Sequence, residues 1–421
     1  MPPDTTVFSP WNWAGLTRVI RCPPCRLPCS ERGTSSADMA ADLTCQTLLA
    51  GLPADQADER VIRLARQHVE TLRTWLREEK ADAVVISSRE NFAWLSAGGD
   101  SHVVETSMLG TGSLMITPDD QYLFAYVMDG PRLMEEQVPG QGYRLVTTRW
   151  FEDDPSTLAV KRGGKRILAD MPLEGAVNRS AEIGRLHDPL DELELNRLRW
   201  LGRATGLVLE ELAGQVQPGM TEWQIAGLCR DLFHAQHITL DVLLAGVDER
   251  ARRLKHFIPG DKKLERYFLI NPSARRWGLH ANVSRCVHFE PPDALLRQAY
   301  LEAAGVVTEM LGACCEGARH ADILEAMKIG FVRRGQPEGW MEHFPGGVTG
   351  YLLADCRCLG SQQLVRGQPY DWFATRPGVM VEELSLLTAH GLEISSLGAT
   401  WPLHSFSGEY PDILLPEMAI R

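Results

Sequence analysis

Lysine is scarce in this chain: of 43 basic residues, 7 are Lys and 36 are Arg. That bias points to a GC-rich bacterial genome. Positive charge is in deficit too, because 55 acidic residues leave a formal net charge of −12. Such a balance excludes nucleic acid and anionic membranes as main partners, since both are bound through basic patches. No apolar run reaches the roughly 20 residues that cross a bilayer. The N-terminus also lacks the basic, apolar, small-residue order of a secretory signal. A cytoplasmic protein with no membrane partner is expected.

The 10 cysteines are too scattered over 421 residues to form a disulfide scaffold. Cys22-Pro-Pro-Cys25 with Cys29 begins like a metal knuckle, yet no second ligand pair follows at usable spacing. Cys314-Cys315 closes an apolar helical stretch, and the spacing of Cys356 and Cys358 is undiagnostic. Cys286 follows Arg285, whose charge could lower a thiol pKa, but a strand position favours burial. A serine nucleophile motif, Gly-x-Ser-x-Gly, is missing. The run Gly346-Gly347-Val-Thr-Gly350 is not a phosphate loop, because no Lys-Ser/Thr follows. Its glycines suit a close approach of backbone to a cleft.

A chain of this length exceeds what a single core supports, so two domains are the default. Residues 1–38 are rich in Pro, Arg, Ser and Cys and show no periodicity. They read as a disordered arm, or as a start placed upstream of Met39. The span 39–185 reads as a small α/β domain. Ile62, Ala65, Val69, Leu72 and Leu76 recur at helical steps, Ala83 to Ser87 reads as a buried strand, and 113–117 with 121–126 flank a hairpin turn at Pro118. Arg166 to Ala169 reads as a closing strand.

The span 186–415 contains an echo. Gly219, Ile225 and Phe233 recur as Gly317, Ile323 and Phe331, always 98 positions later. Each copy follows a long helix (about 190–213 and 291–313) and opens another, the first through a Thr221/Gln224 capping box. Strands follow at 266–270, 379–387 and 392–394. Two helix–helix–strand units predict a pseudo-two-fold domain with a site between its halves.

The order of "PGMTE", His256 in "LKHFIPGDKKLERY", "WGLHANVSR", "HFPGGVTGY" and Glu382 resembles the creatinase / aminopeptidase P (M24) family over about residues 58–401. The resemblance implies a mixed α/β protein whose small N-terminal domain precedes a catalytic pita-bread domain. It also implies a metal-ligand set of Asp, Asp, His, Glu and Glu. Here the matching positions read Asn271, Asn282, His343, approximately Phe373, and Glu382. An Asn amide is neutral and holds a divalent cation poorly without anionic companions. No metal or other cofactor is therefore expected.

Creatinase is the family's precedent for working without metal, and its catalytic His matches His256 by resemblance. The expected function is a metal-independent hydrolase that cleaves a C–N bond in a small molecule. In this reading His256 serves as acid/base, while His343 and Glu382 polarise and orient. Asn271, Asn282 and Tyr351 would contact substrate. The family's homodimer would bring Arg89 and His102 of the first domain to the cleft. Plainer readings stand beside these: His256 as a turn cap, His343 as a packed relic, Glu382 as a sheet residue and Tyr351 as core. The rival functions are a metal-dependent Xaa-Pro aminopeptidase or dipeptidase, a non-catalytic binding protein, and a lyase that abstracts a proton.

Overall fold

The computed structural model describes residues 18–20, 52–53, 55–406 and 413–421, the first three by backbone alone. Cys22, Cys25 and Cys29 lie outside the described residues, as does most of the 1–38 segment. Within that segment, read from sequence as a structureless arm, Arg18–Ile20 runs antiparallel to Leu392–Ile394. A sheet edge offers unpaired N–H and C=O groups that an extended segment can satisfy.

In the first domain, helix Glu59–Glu79 starts where the Asp58 carboxylate accepts the Arg60 amide. Val61, Leu64, Ala65, Val69, Leu72 and Leu76 form its buried stripe. Ile62 sits at the margin, and Val61 takes the inner position. The helix covers a six-stranded sheet in the order 144–148, 121–126, 109–116, 83–88, 167–169, 177–178. Ala83–Ser88 is buried along its whole length. It pairs antiparallel with the expected hairpin and parallel with Ile167–Ala169, so its unbroken apolar run is what a central strand requires.

The second domain opens with helix Glu192–Gln215, which begins at an Asp191/Glu194 capping box. Helix Glu222–His234 begins at the Thr221/Gln224 box. The echo appears as helices Ala294–Ala313 and His320–Arg333. Gly219 and Gly317 occupy the same place in the two copies at φ 95° and 84°, a region that favours glycine.

Each helix pair leads to a β-hairpin. The first joins Tyr267–Arg276 to Leu279–Asn282 through Trp277-Gly278; the second joins Phe373–Arg376 to Val379–Glu382 through Pro377-Gly378. Gly278 and Gly378 are 100 positions apart, so two extra residues enter between helices and hairpin in the second copy. The ends of the hairpins are laced together. The Ser284 hydroxyl accepts the Glu382 amide at 2.9 Å and donates to the Met380 carbonyl at 2.7 Å, and the Ser284 amide donates to the Glu382 carbonyl at 3.1 Å. Beside them the buried Arg285 guanidinium pairs with Glu383 and donates to the Ser284 and Ser396 carbonyls.

Candidate active site

Asn271 and Asn282 are buried where the two halves meet. The Asn271 Nδ2 donates to the Val283 carbonyl at 3.0 Å and to Glu382 Oε2 at 2.5 Å. The Asn282 Nδ2 donates to the Leu353 carbonyl at 2.9 Å and to Asp371 Oδ2 at 2.6 Å. A backbone carbonyl can only accept, so it fixes which end of each amide faces it. Asp371 Oδ1 accepts the Gly347 amide at 2.9 Å. Two amide–carboxylate pairs thus cross between the halves.

Asp371 was missed in the sequence. The loose match at Phe373 places a side chain opposite Glu382 in the second hairpin, with its ring stacked on His343 at a centroid distance of 5.1 Å. The carboxylate that meets Asn282 stands two residues earlier. The repeat contained a usable signal. Moved by the hairpin offset of 100, Asn271 falls on Asp371 and Asn282 falls on Glu382.

Burial raises the pKa of both carboxyls above the ordinary range, and for Glu382 the nearby Asp371 charge adds to it. The amide hydrogen bonds pull the other way and are outweighed. Asn282 Oδ1 is buried without a partner among the described residues. An unmade hydrogen bond of that kind costs about 1–3 kcal/mol, which marks an acceptor for an incoming N–H or O–H group.

The remaining expected residues are dispersed. His343 accepts the Thr375 amide at Nε2 (3.1 Å), and its Nδ1 lies 2.8 Å from the Phe344 carbonyl. Those partners require the neutral Nδ1–H tautomer, and burial pushes the pKa down to about 4. His256 is exposed on the loop after helix Asp248–Arg253, and its ring has no hydrogen-bond partner among the described residues. Tyr351 packs in the core, edge-on to His187 at 5.6 Å. Burial raises the Cys286 thiol to about 11, so it is no ready nucleophile.

Arg89 and His102 line a cavity of about 370 Å³ together with Asp241, Arg275 and His280. One chain therefore assembles this wall from both of its domains. His102 Nδ1 and Arg275 Nη1 each lie 2.7 Å from a carboxylate oxygen of Asp100. Arg275 is 5% exposed, and its Nη2 has no partner among the described residues. Asn271, Ser273 and Arg275 alternate along one strand, with His280 and Asn282 paired beside Arg275 and Ser273. Side chains two apart share a sheet face, so the cavity and the Asn–carboxylate cluster lie along one polar face.

Residues 196–391 match the model of metallopeptidase family M24. The C-terminal half is an M24 domain. The family acts on peptide C–N bonds as hydrolases, and the α/β domain precedes it here as in its structural neighbours. No curated protein matches the sequence. Among solved structures, an Xaa-Pro dipeptidase from Bacillus anthracis superposes with a TM-score of 0.66 at 14% identity, covering 85% of this chain and 100% of that one. An X-Pro aminopeptidase from Thermotoga maritima gives 0.64 at 18% identity, covering 78% and 97%. The N-terminal domain of FACT complex subunit SPT16 from chickpea, Cicer arietinum, gives 0.63 at 9% identity, covering 80% and 96%.

The M24 domain's own residues do not fit the two-metal centre that the family implies. Asn271 and Asn282 aim hydrogens, not lone pairs, at the carboxylates, and a backbone amide occupies His343 Nε2. Among the described residues, no group of three or more His, Cys, Asp or Glu could hold a metal ion.

Proposed function

We propose that this M24 protein is a metal-independent hydrolase of a C–N bond in a small substrate, with Asp371 and Glu382 as the proton-transfer pair. The observation that carries this reading is the crossed arrangement of Asn271 with Glu382 and Asn282 with Asp371. It holds two raised-pKa carboxyls side by side at the domain's centre. Glu382, whose carboxyl is pushed up by burial and by the neighbouring Asp371 charge, is the member assigned to donate to the leaving nitrogen. Asp371, oriented by the Gly347 and Asn282 donors, takes the proton of the attacking water. Asn282 Oδ1 accepts a substrate N–H. His256 and His343, first read as acid/base and polarising groups, have no part in this scheme.

The support for metal independence is the donor chemistry of the two amides, and the test is direct. Hydrolysis of short peptides and guanidino or amidine compounds should survive chelation and gain nothing from added manganese or zinc. Asp371→Asn should reduce it at least about 100-fold, the usual scale for an acid/base group. Activity restored only by metal would overturn the reading.

A second reading, ligand binding without turnover, is favoured by how closed the cluster is: Asn271, Asn282 and Glu382 are each about 6% exposed or less. It predicts that the wild type hydrolyses none of these compounds and that Asp371→Asn changes only stability and ligand affinity. Under either reading we place a homodimer contact at the exposed apolar end of the first domain's sheet, where Val127, Met128, Trp150 and Phe151 lie.

A further inference from the structure

The loop beyond the glycine turn carries Cys356-Arg357-Cys358. Cys356 is exposed and Cys358 buried, and their sulfurs lie 2.7 Å apart. Arg357 pins the loop between them, donating to Asp355 and Asp188 at 2.6 Å each. Cys356 lines an inter-domain cavity of about 550 Å³ together with Asn91, Asp170 and Arg185 of the first domain. That volume is in the range of small-molecule sites. A hydrogen bond from the Cys358 thiol pushes the Cys356 thiol down to about 6, so it is largely thiolate at neutral pH. The chemistry proposed above uses neither sulfur.

We propose that Cys356 and Cys358 form a dithiol–disulfide couple that reacts with low-molecular-weight disulfides entering this cavity. The exposed Cys356 thiolate attacks one sulfur of the small disulfide, forming a mixed disulfide and releasing the first half as a thiolate. Cys358 gives its proton to solvent and attacks Cys356 Sγ. The Cys356–Cys358 bond forms and the second half leaves. Two electrons pass from the protein to the small disulfide, and both halves leave as thiolates that take up protons from solvent.

The pair is tied to the Asn–carboxylate cluster. Val348 and Asp355 exchange both backbone hydrogen bonds, at 3.1 and 2.7 Å. Between them Leu353 holds Asn282, and just before them Gly347 holds Asp371. Oxidation therefore acts on the segment that positions both side chains.

The test equilibrates the full-length protein with mixtures of glutathione and its disulfide, quenches with acid, alkylates, and maps peptides by mass. In oxidising mixtures the peptide holding residues 356–358 should lose two hydrogens and take up no alkyl group. Cys358→Ser should accumulate a glutathione adduct on Cys356, and Cys356→Ser should show none on Cys358. Alkylation at both sulfurs of the wild type in fully oxidising mixtures would overturn the proposal, as would an adduct on Cys358 in the Cys356→Ser variant. The wild-type map decides the matter even where a variant fails to fold.

Discussion

Asp371 and Glu382 hold protons more tightly folded than unfolded, because burial penalises their charged forms. This stabilisation is complete below the unfolded carboxyl value of about pH 4 and disappears as pH rises through the folded values. Glu382→Gln keeps an acceptor for the Asn271 amide but cannot ionise. Its stability relative to wild type should grow between about pH 5 and pH 8, by about 1.4 kcal/mol for every pH unit over which folding keeps the wild-type carboxyl protonated. Thermal melts at the two pH values check this, and a difference that does not change with pH counts against it. His343 runs the opposite way. Its folded pKa is depressed to about 4, chiefly by burial, so its contribution is present above the unfolded value of about 6.5 and fades as pH falls through 4. At this scale Asn271, Asn282 and Glu382 were legible because motif spacing marks them. Asp371 was not, since the aromatic run Tyr370, Trp372, Phe373 masks it and the repeat offset changes from 98 to 100 between Phe331 and Asp371.

The hairpin that carries both Asn residues depends on its turn. Gly278 sits at φ 74°, and a Cβ there would lie 2.3 Å from Ala93 Cβ in the first domain. Gly278→Ala should cost at least about 2 kcal/mol in urea unfolding, combining strain with overpacking. Gly219→Ala meets no atom within 4 Å and should lose only about 1–2 kcal/mol through its φ; equal losses would place the damage in the backbone alone. Sequence marked the elements whose signal is local, such as the Thr221 cap and the all-buried strand after Ala83. Strand Thr239–Val247, nine residues long, went unread because its Thr-Leu-Asp-Val-Leu-Leu run fits neither strict alternation nor helical steps. Its identity comes from eight paired positions on Tyr267–Arg276, a partner about thirty residues away.

For the whole molecule, the first domain presents Val127, Met128, Trp150 and Phe151, each at least 50% exposed. The Val127 amide donates to the Thr148 carbonyl at 3.0 Å, so the two strand ends adjoin in one apolar patch. Replacing Trp150 and Phe151 with Ser should convert a dimer to a monomer in sedimentation, with little change in melting of the isolated subunit. A monomeric wild type would remove the dimer from the reading. Two domains and a pseudo-two-fold repeat were legible from length and echo. Which loops face each other was not, and so His256 was placed in a cleft while Arg275 and His280 were passed over.

The crossed pairing of one amide half with one acid half also bears on how this lineage can change. Asn271→Asp alone would set a second carboxylate against Glu382 and delete the donor that steadies it, with no cation yet held firmly enough to compensate. Asn282→Asp would do the same to Asp371. Each single step toward the charge set that the family resemblance implies leads uphill before any metal affinity is gained, so the fold acts as a ratchet against acquiring it one residue at a time.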